Sequence, residues 1–204
     1  MAIKVDFKKS KKSLYDPKIK GFHIVEVPSM NFLMLDGVGD PNTTVEYQQS
    51  IEALYSISYG IKFALKTEGF DHVVPPLEGL WWMDDMREFT LANKYRWKWT
   101  MMIMQPDWVT QENFEKIRLK VNDKSDNPIL NKTRFERYSE GSAVQILYIG
   151  PYAEEAATIA DMHAFIERNG YRPDGKHHEI YLSDARKTPP EKLRTILRQP
   201  ISKR

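Results

Sequence analysis

The chain has 204 residues, 41% hydrophobic and 28% charged, which excludes a disordered protein and suits one domain or two halves sharing a core. Lys+Arg 30 against Asp+Glu 28 gives +2, and residues 1–20 hold seven lysines and two aspartates, a local +5 that leaves the rest of the chain at −3 and argues against a dedicated nucleic-acid binder. The absence of cysteine excludes disulfides, thiolate metal sites and a cysteine nucleophile and fits a cytoplasmic protein, and no apolar run approaches the roughly 18 residues of a membrane span.

Residues 1–20 alternate lysines with Ile3, Val5 and Phe7 and read as a basic leader, either an edge strand or a loose arm, outside a domain spanning 21–204. Strands are expected at Phe22–Val27 and Asn31–Gly37, closed by Gly37, Gly39 and Pro41. Thr43 or Thr44 can cap the next helix. That helix, from about Val45 to Thr67, carries Ile51, Leu54, Ser58, Ile61 and Leu65 on one stripe and Tyr47, Tyr55 and Tyr59 on a second. After Pro75 and Pro76 comes a strand over Leu77–Met83. From Tyr95 to Met104 the odd positions are apolar as far as Ile103, the period of a half-buried strand, with Trp97 and Trp99 expected in the core.

A helix at Gln111–Val121 and a polar stretch lead to a second half with the same order. It has strands at Phe135–Tyr138 and Val144–Ile149, a helix over Ala153–Arg168, a strand at His178–Leu182, a turn at Pro189 and Pro190, and a last strand at Ile196–Ile201. The expected fold is therefore α+β, two strand-helix-strand-strand repeats (about 21–105 and 133–201) of antiparallel sheet around a cleft. In this alignment Leu77-Glu78-Gly79-Leu80-Trp81-Trp82 matches His178-Glu179-Ile180-Tyr181-Leu182.

No glycine-rich phosphate loop, nucleophile elbow or His-Glu-x-x-His motif is present, so no cofactor is expected. Among His177, His178 and Glu179 only His177 and Glu179 share a strand face, too few ligands for a metal site. Ile180 and Leu182 are expected to face the core under the helix, turning Glu179 and Tyr181 together onto the opposite face. A charged strand residue is by itself most often solvent-exposed. Trp81 and Trp82 are adjacent, however, so one of them must leave the core. With Trp108 and the tyrosine stripe it describes a binding surface for flat, lipophilic or cationic molecules.

The segments His178-Glu179-Ile180-Tyr181-Leu182-Ser183-Asp184, Thr188-Pro189-Pro190-Glu191-Lys192-Leu193, Ile149-Gly150-Pro151-Tyr152 and Pro76-Leu77-Glu78-Gly79-Leu80-Trp81-Trp82 resemble the GyrI-like small-molecule-binding family over about residues 21–201. The resemblance implies a ligand cleft between repeats with Glu179 as its central polar residue. It also implies kinship with stand-alone members that hydrolyse cyclopropane-bearing alkylating compounds. On this reading Glu179 is a general base, Tyr181 assists it with Tyr55 and Tyr59 as competitors, and Trp81, Trp82, Tyr55, Tyr59, Glu78, Trp108 and Tyr152 bind the ligand. The alternatives are a non-catalytic drug-binding or ligand-sensing module, which brings in a protein partner, and a topoisomerase inhibitor, for which −3 is too mild a charge. A helix-turn-helix does not fit before residue 21, so sequence-specific nucleic acid is not an expected partner.

Overall fold

The computed structural model describes residues 4–17 and 20–204. Its elements are β1 (Lys4–Val5), α1 (Phe7–Ser10), α2 (Lys12–Tyr15), β2 (His23–Val27), β3 (Met30–Val38), α3 (Val45–Lys66), β4 (Asp71–His72), β5 (Leu77–Trp82), β6 (Lys98–Gln105), α4 (Gln111–Asn122), β7 (Arg134–Tyr138), β8 (Gly141–Ile149), α5 (Glu155–Arg168), β9 (Tyr171–Pro173), β10 (His177–Tyr181) and β11 (Arg194–Lys203). One antiparallel sheet runs in the order β2-β8-β11-β10-β5-β6-β3-β7, with β9 paired to β11. That order reads symmetrically outward from the β10–β5 pair, as two units β3-α3-β5-β6 and β8-α5-β10-β11 related by a pseudo-two-fold require. The expected α+β duplication is the observed architecture, but the outer strands are exchanged between the expected repeats: β2 pairs with β8 of the second unit, and β7, expected beside β8, pairs with β3 of the first.

Strand boundaries follow the side chains. The strand expected from Tyr95 begins at Lys98, because Leu91–Arg96 coils into a short 3-10 turn that leaves Tyr95 exposed. The Trp97 indole N–H donates to the Thr90 carbonyl and holds that turn closed. Among the described residues no helix is long and apolar enough to cross a membrane.

Both faces of the sheet are covered. On one, Leu54, Ile57 and Ile61 of α3 pack on Leu33, Leu35, Trp99, Met101 and Ile103, and Met162 and Ile166 of α5 pack on Val144 and Leu197. On the other, Phe32, Met34, Leu80, Met102, Ile180 and Ile196 are covered by Phe7, Leu14 and Tyr15. The described part of the leader is therefore an integral layer and no loose arm. Burying each of these three side chains contributes roughly 1.5–3 kcal/mol, and β1 pairs in parallel with β4. Ile3 and Lys18, also read as leader, lie outside the described residues.

This second cover reverses one expectation. Ile180 packs beneath the leader, so Glu179 and Tyr181 stand on the helix-bearing face. The sequence alignment of Glu78 with Glu179 is likewise one residue out of phase. In the β10–β5 pairing Glu78 lies opposite Ile180 and Gly79 opposite Glu179, so the two glutamates point to opposite faces.

Candidate functional site

Between α3 and α5, floored by β5 and β10, lies a cleft of about 2230 Å³, larger than most small-molecule pockets. Helix α3 supplies Tyr47, Tyr55 and Tyr59, since the stripe of residues four apart that does not enter the core faces sideways. Trp81 comes from β5, Phe89 and Trp97 from the segment before β6, and Tyr152, Glu155 and His163 from the start and middle of the α5 region. The β10 strand presents His177, Glu179 and Tyr181 from one face, as alternation dictates.

Glu179 is the centre of a short polar chain. The Tyr181 hydroxyl donates to Glu179 Oε2 at 2.7 Å, and the Trp81 indole N–H donates to the Tyr181 oxygen at 3.0 Å. The Tyr152 ring stands edge-on to Tyr181 at 5.7 Å. Burial raises the Glu179 carboxyl to about 7, while the Tyr181 hydrogen bond and the charge on His178 pull it down. Burial and the Glu179 charge hold Tyr181 well above its ordinary value, so it donates throughout the neutral range. Burial, then repulsion by Glu179, raises Glu155 to about 9. Of the carboxyl groups lining the cleft, which include Glu52, Asp174 and Asp184, Glu155 and Glu179 are the two that burial pushes up, so the pair shares a proton toward neutral pH, as an acid and a base in one site would. His177 Nε2 is 3.7 Å from Glu179 Oε1, and burial lowers that imidazole to about 3.

The space around the chain depends on Gly79, directly across from Glu179. A Cβ there would meet Trp81 Nε1 at 2.8 Å and the Tyr181 oxygen at 3.1 Å. Gly79→Ala is expected to break the Trp81–Tyr181 hydrogen bond and weaken ligand capture about 10-fold. Tryptophan-quenching titration alongside a thermal melt checks this, and a melt lowered as severely as the affinity would make the effect one of folding.

Of the residues singled out in the sequence, Glu179, Tyr181, Trp81, Tyr55, Tyr59 and Tyr152 meet at this cleft. Trp82, Glu78 and Trp108 do not line it. Trp82 is on the leader side of the sheet with the Lys176 ammonium 3.3 Å over its ring. Trp108 packs against Phe7 and Phe70. Glu78 is fully buried, accepting from the Tyr15 hydroxyl at 2.8 Å and contacting His178 Nε2 at 2.9 Å. Trp97, expected in the core, instead stacks on Phe89 at 4.3 Å in the cleft wall, while Trp99 is core as expected. Glu155 carried no sequence signal, because an acidic residue in a helix's first turn is already accounted for by the helix dipole. Tyr47 was legible as part of the α3 stripe.

The model of a GyrI-like small molecule binding domain matches residues 21–202. A Listeria innocua structure described as an uncharacterized conserved protein is 45% identical, with 98% of this chain and 100% of that chain covered and a TM-score of 0.90. A hydrolase from Listeria innocua is 43% identical over 98% of this chain and 100% of that chain, with a TM-score of 0.84. The C-terminal domain of EcmrR, 13% identical over 91% of this chain and 99% of that chain with a TM-score of 0.56, shares the fold. No curated protein matches the sequence.

Proposed function

This chain belongs to the GyrI-like small-molecule-binding family, and from that premise we propose that it captures flat, lipophilic aromatic compounds in the cleft and hydrolyses strained, electrophilic rings on them. The observation that carries this reading is Glu179, a half-buried carboxylate in an aromatic cleft, fixed by Tyr181 and titrating near neutrality. A base of that kind suits proton abstraction at physiological pH. The hydrolase from Listeria innocua, similar along its whole length, supports hydrolysis over capture alone.

In the reaction, Glu179 takes a proton from water and the oxygen bonds to a carbon of a cyclopropane conjugated to a carbonyl. The ring C–C bond breaks, its electron pair passes to the carbonyl oxygen, and that oxygen is protonated, so water adds across the ring. The Tyr181 proton is engaged by Glu179, which makes Tyr181 a positioning residue. Steadying the oxygen that gains charge falls to another cleft hydroxyl, and Tyr152 stands beside Tyr181. Trp81 and Trp97 stack on the flat part of the substrate.

The test is incubation with planar dyes and with a cyclopropane-bearing dienone in heavy-oxygen water, following tryptophan quenching and product mass together. Quenching with heavy oxygen incorporated into a ring-opened product is the expected result. Quenching without product would make the protein a binding module, and a charged planar dye bound in strong preference to neutral ones would make Glu179 a counter-ion.

A further inference from the structure

The two walls of the cleft differ in chemistry. On the α3 side they are aromatic, whereas on the α5 side they are polar and unsatisfied. His177, 3% exposed, has neither ring nitrogen within hydrogen-bond geometry of a partner, and Glu155, 4% exposed, has Oε1 without one, with Gln199 the polar neighbour of His177 and Thr195 that of Glu155. His163 Nε2 is in the same condition, and all three residues line the cleft. Buried polar atoms without partners are rare in native proteins, and each carries a desolvation penalty that something must offset. The atoms themselves have almost no surface open to the empty cleft, so a small turn of these side chains toward a ligand's polar end would supply the bonds they lack.

We infer that the α5 wall is a subsite for a neutral hydrogen-bonding group, an amide, ketone or phenol, so the compounds taken have a flat apolar body and one such polar end. This rests on the reading of the cleft as a ligand site. Each neutral imidazole offers one donor and one acceptor, and a protonated carboxyl offers the same pair. Burial lowers both His177 and His163 and, with the Glu179 charge, raises Glu155, so these three groups carry no formal charge at neutral pH. An ionic group would find no counter-charge among them. Glu179 stands beside His177, so the polar end seated on this wall would fix the aromatic body over Trp81 with its reactive ring next to the base.

The experiment compares three ligands with one ring system, naphthamide, ethylnaphthalene and naphthyltrimethylammonium, by tryptophan quenching of the full chain. Naphthamide is expected to bind about 10-fold more tightly than ethylnaphthalene. His177→Phe, which keeps a flat ring and removes both nitrogens, should lower naphthamide affinity about 10-fold more than ethylnaphthalene affinity. Should that variant melt early, Glu155→Leu gives the same differential loss and Glu155→Gln largely preserves the preference. Equal binding of amide and hydrocarbon, preference for the ammonium, or equal losses in the variants overturns the subsite and leaves the cleft reading standing. Quenching by none of the three overturns the cleft reading and the subsite with it.

Discussion

Glu179→Gln is expected to lower turnover of a cyclopropane-bearing electrophile by about 10² or more while neutral flat ligands still quench tryptophan fluorescence. Glutamine keeps the shape of the side chain, and its carbonyl oxygen still accepts from the Tyr181 hydroxyl, so the Trp81–Tyr181 arrangement survives. Only basicity and charge are removed. The wild-type rate should rise with pH and level off above about 7, where Glu179 is ionised, and the residual rate of the variant should lack that step. Single-turnover rates across pH 5–9 check both. Turnover indifferent to the substitution would end the general-base mechanism.

The same substitution has a stability signature of opposite sign. Glu179 is raised from 4.5 to about 7, so its contribution is fully present below 4.5 and is lost as pH rises through 7. Glu179→Gln is therefore expected to melt above the wild type at pH 8 and to lose that advantage at pH 4. A residue kept in a place where it costs stability is what a functional site predicts.

Arg198→Met is expected to destabilise the fold by about 3–5 kcal/mol, because it breaks a buried ion pair and leaves its partner charge in place. The melting temperature should fall on the order of 10 °C. On the face of the sheet opposite the cleft, Arg198 donates to Glu140 Oε2 at 3.1 Å, Gln145 Oε1 at 3.0 Å and the Leu14 carbonyl at 2.8 Å. Glu140 in turn meets His178 Nδ1 at 2.9 Å, and His178 meets Glu78, which accepts from Tyr15. Glu140, Arg198, His178, Glu78 and Tyr15 thus form one buried polar network under the leader. Losing Arg198 frees the Leu14 carbonyl as well, so proteolysis within residues 4–17 should quicken. Adding Glu140→Gln should recover part of the loss, since it removes the stranded charge.

The pH window of this network follows from its two shifted groups. Burial lowers His178, but Glu140 and Glu78 lift it from 6.5 to about 9, so its contribution is full below 6.5 and is lost as pH rises through 9. Burial raises Glu140, but His178 and Arg198 hold it near 2 against 4.5, so its contribution is full above 4.5 and is lost as pH falls through 2. Thermal melts of the wild type should show the stabilisation from this network greatest between about pH 4.5 and 6.5.

Local regularities settled a good deal in advance. The two α3 stripes follow from helical spacing, and one went to the core while the tyrosines went to the cleft. The period of two placed Glu179 with Tyr181, and separated Trp81 from Trp82, whatever the fold around them. Repetition of strand-helix-strand-strand announced the duplicated architecture. What alternation could not say is which face of β5 and β10 each set would occupy, because both faces of the sheet are buried and both carry apolar residues. That was decided by a contact between residues 63 positions apart, Tyr15 with Glu78, and by the packing of Phe7 and Leu14 around it. A backbone fixes its own periodicity within a few residues, whereas the choice of buried face depends on what covers it, and only the assembled chain brings that cover into place.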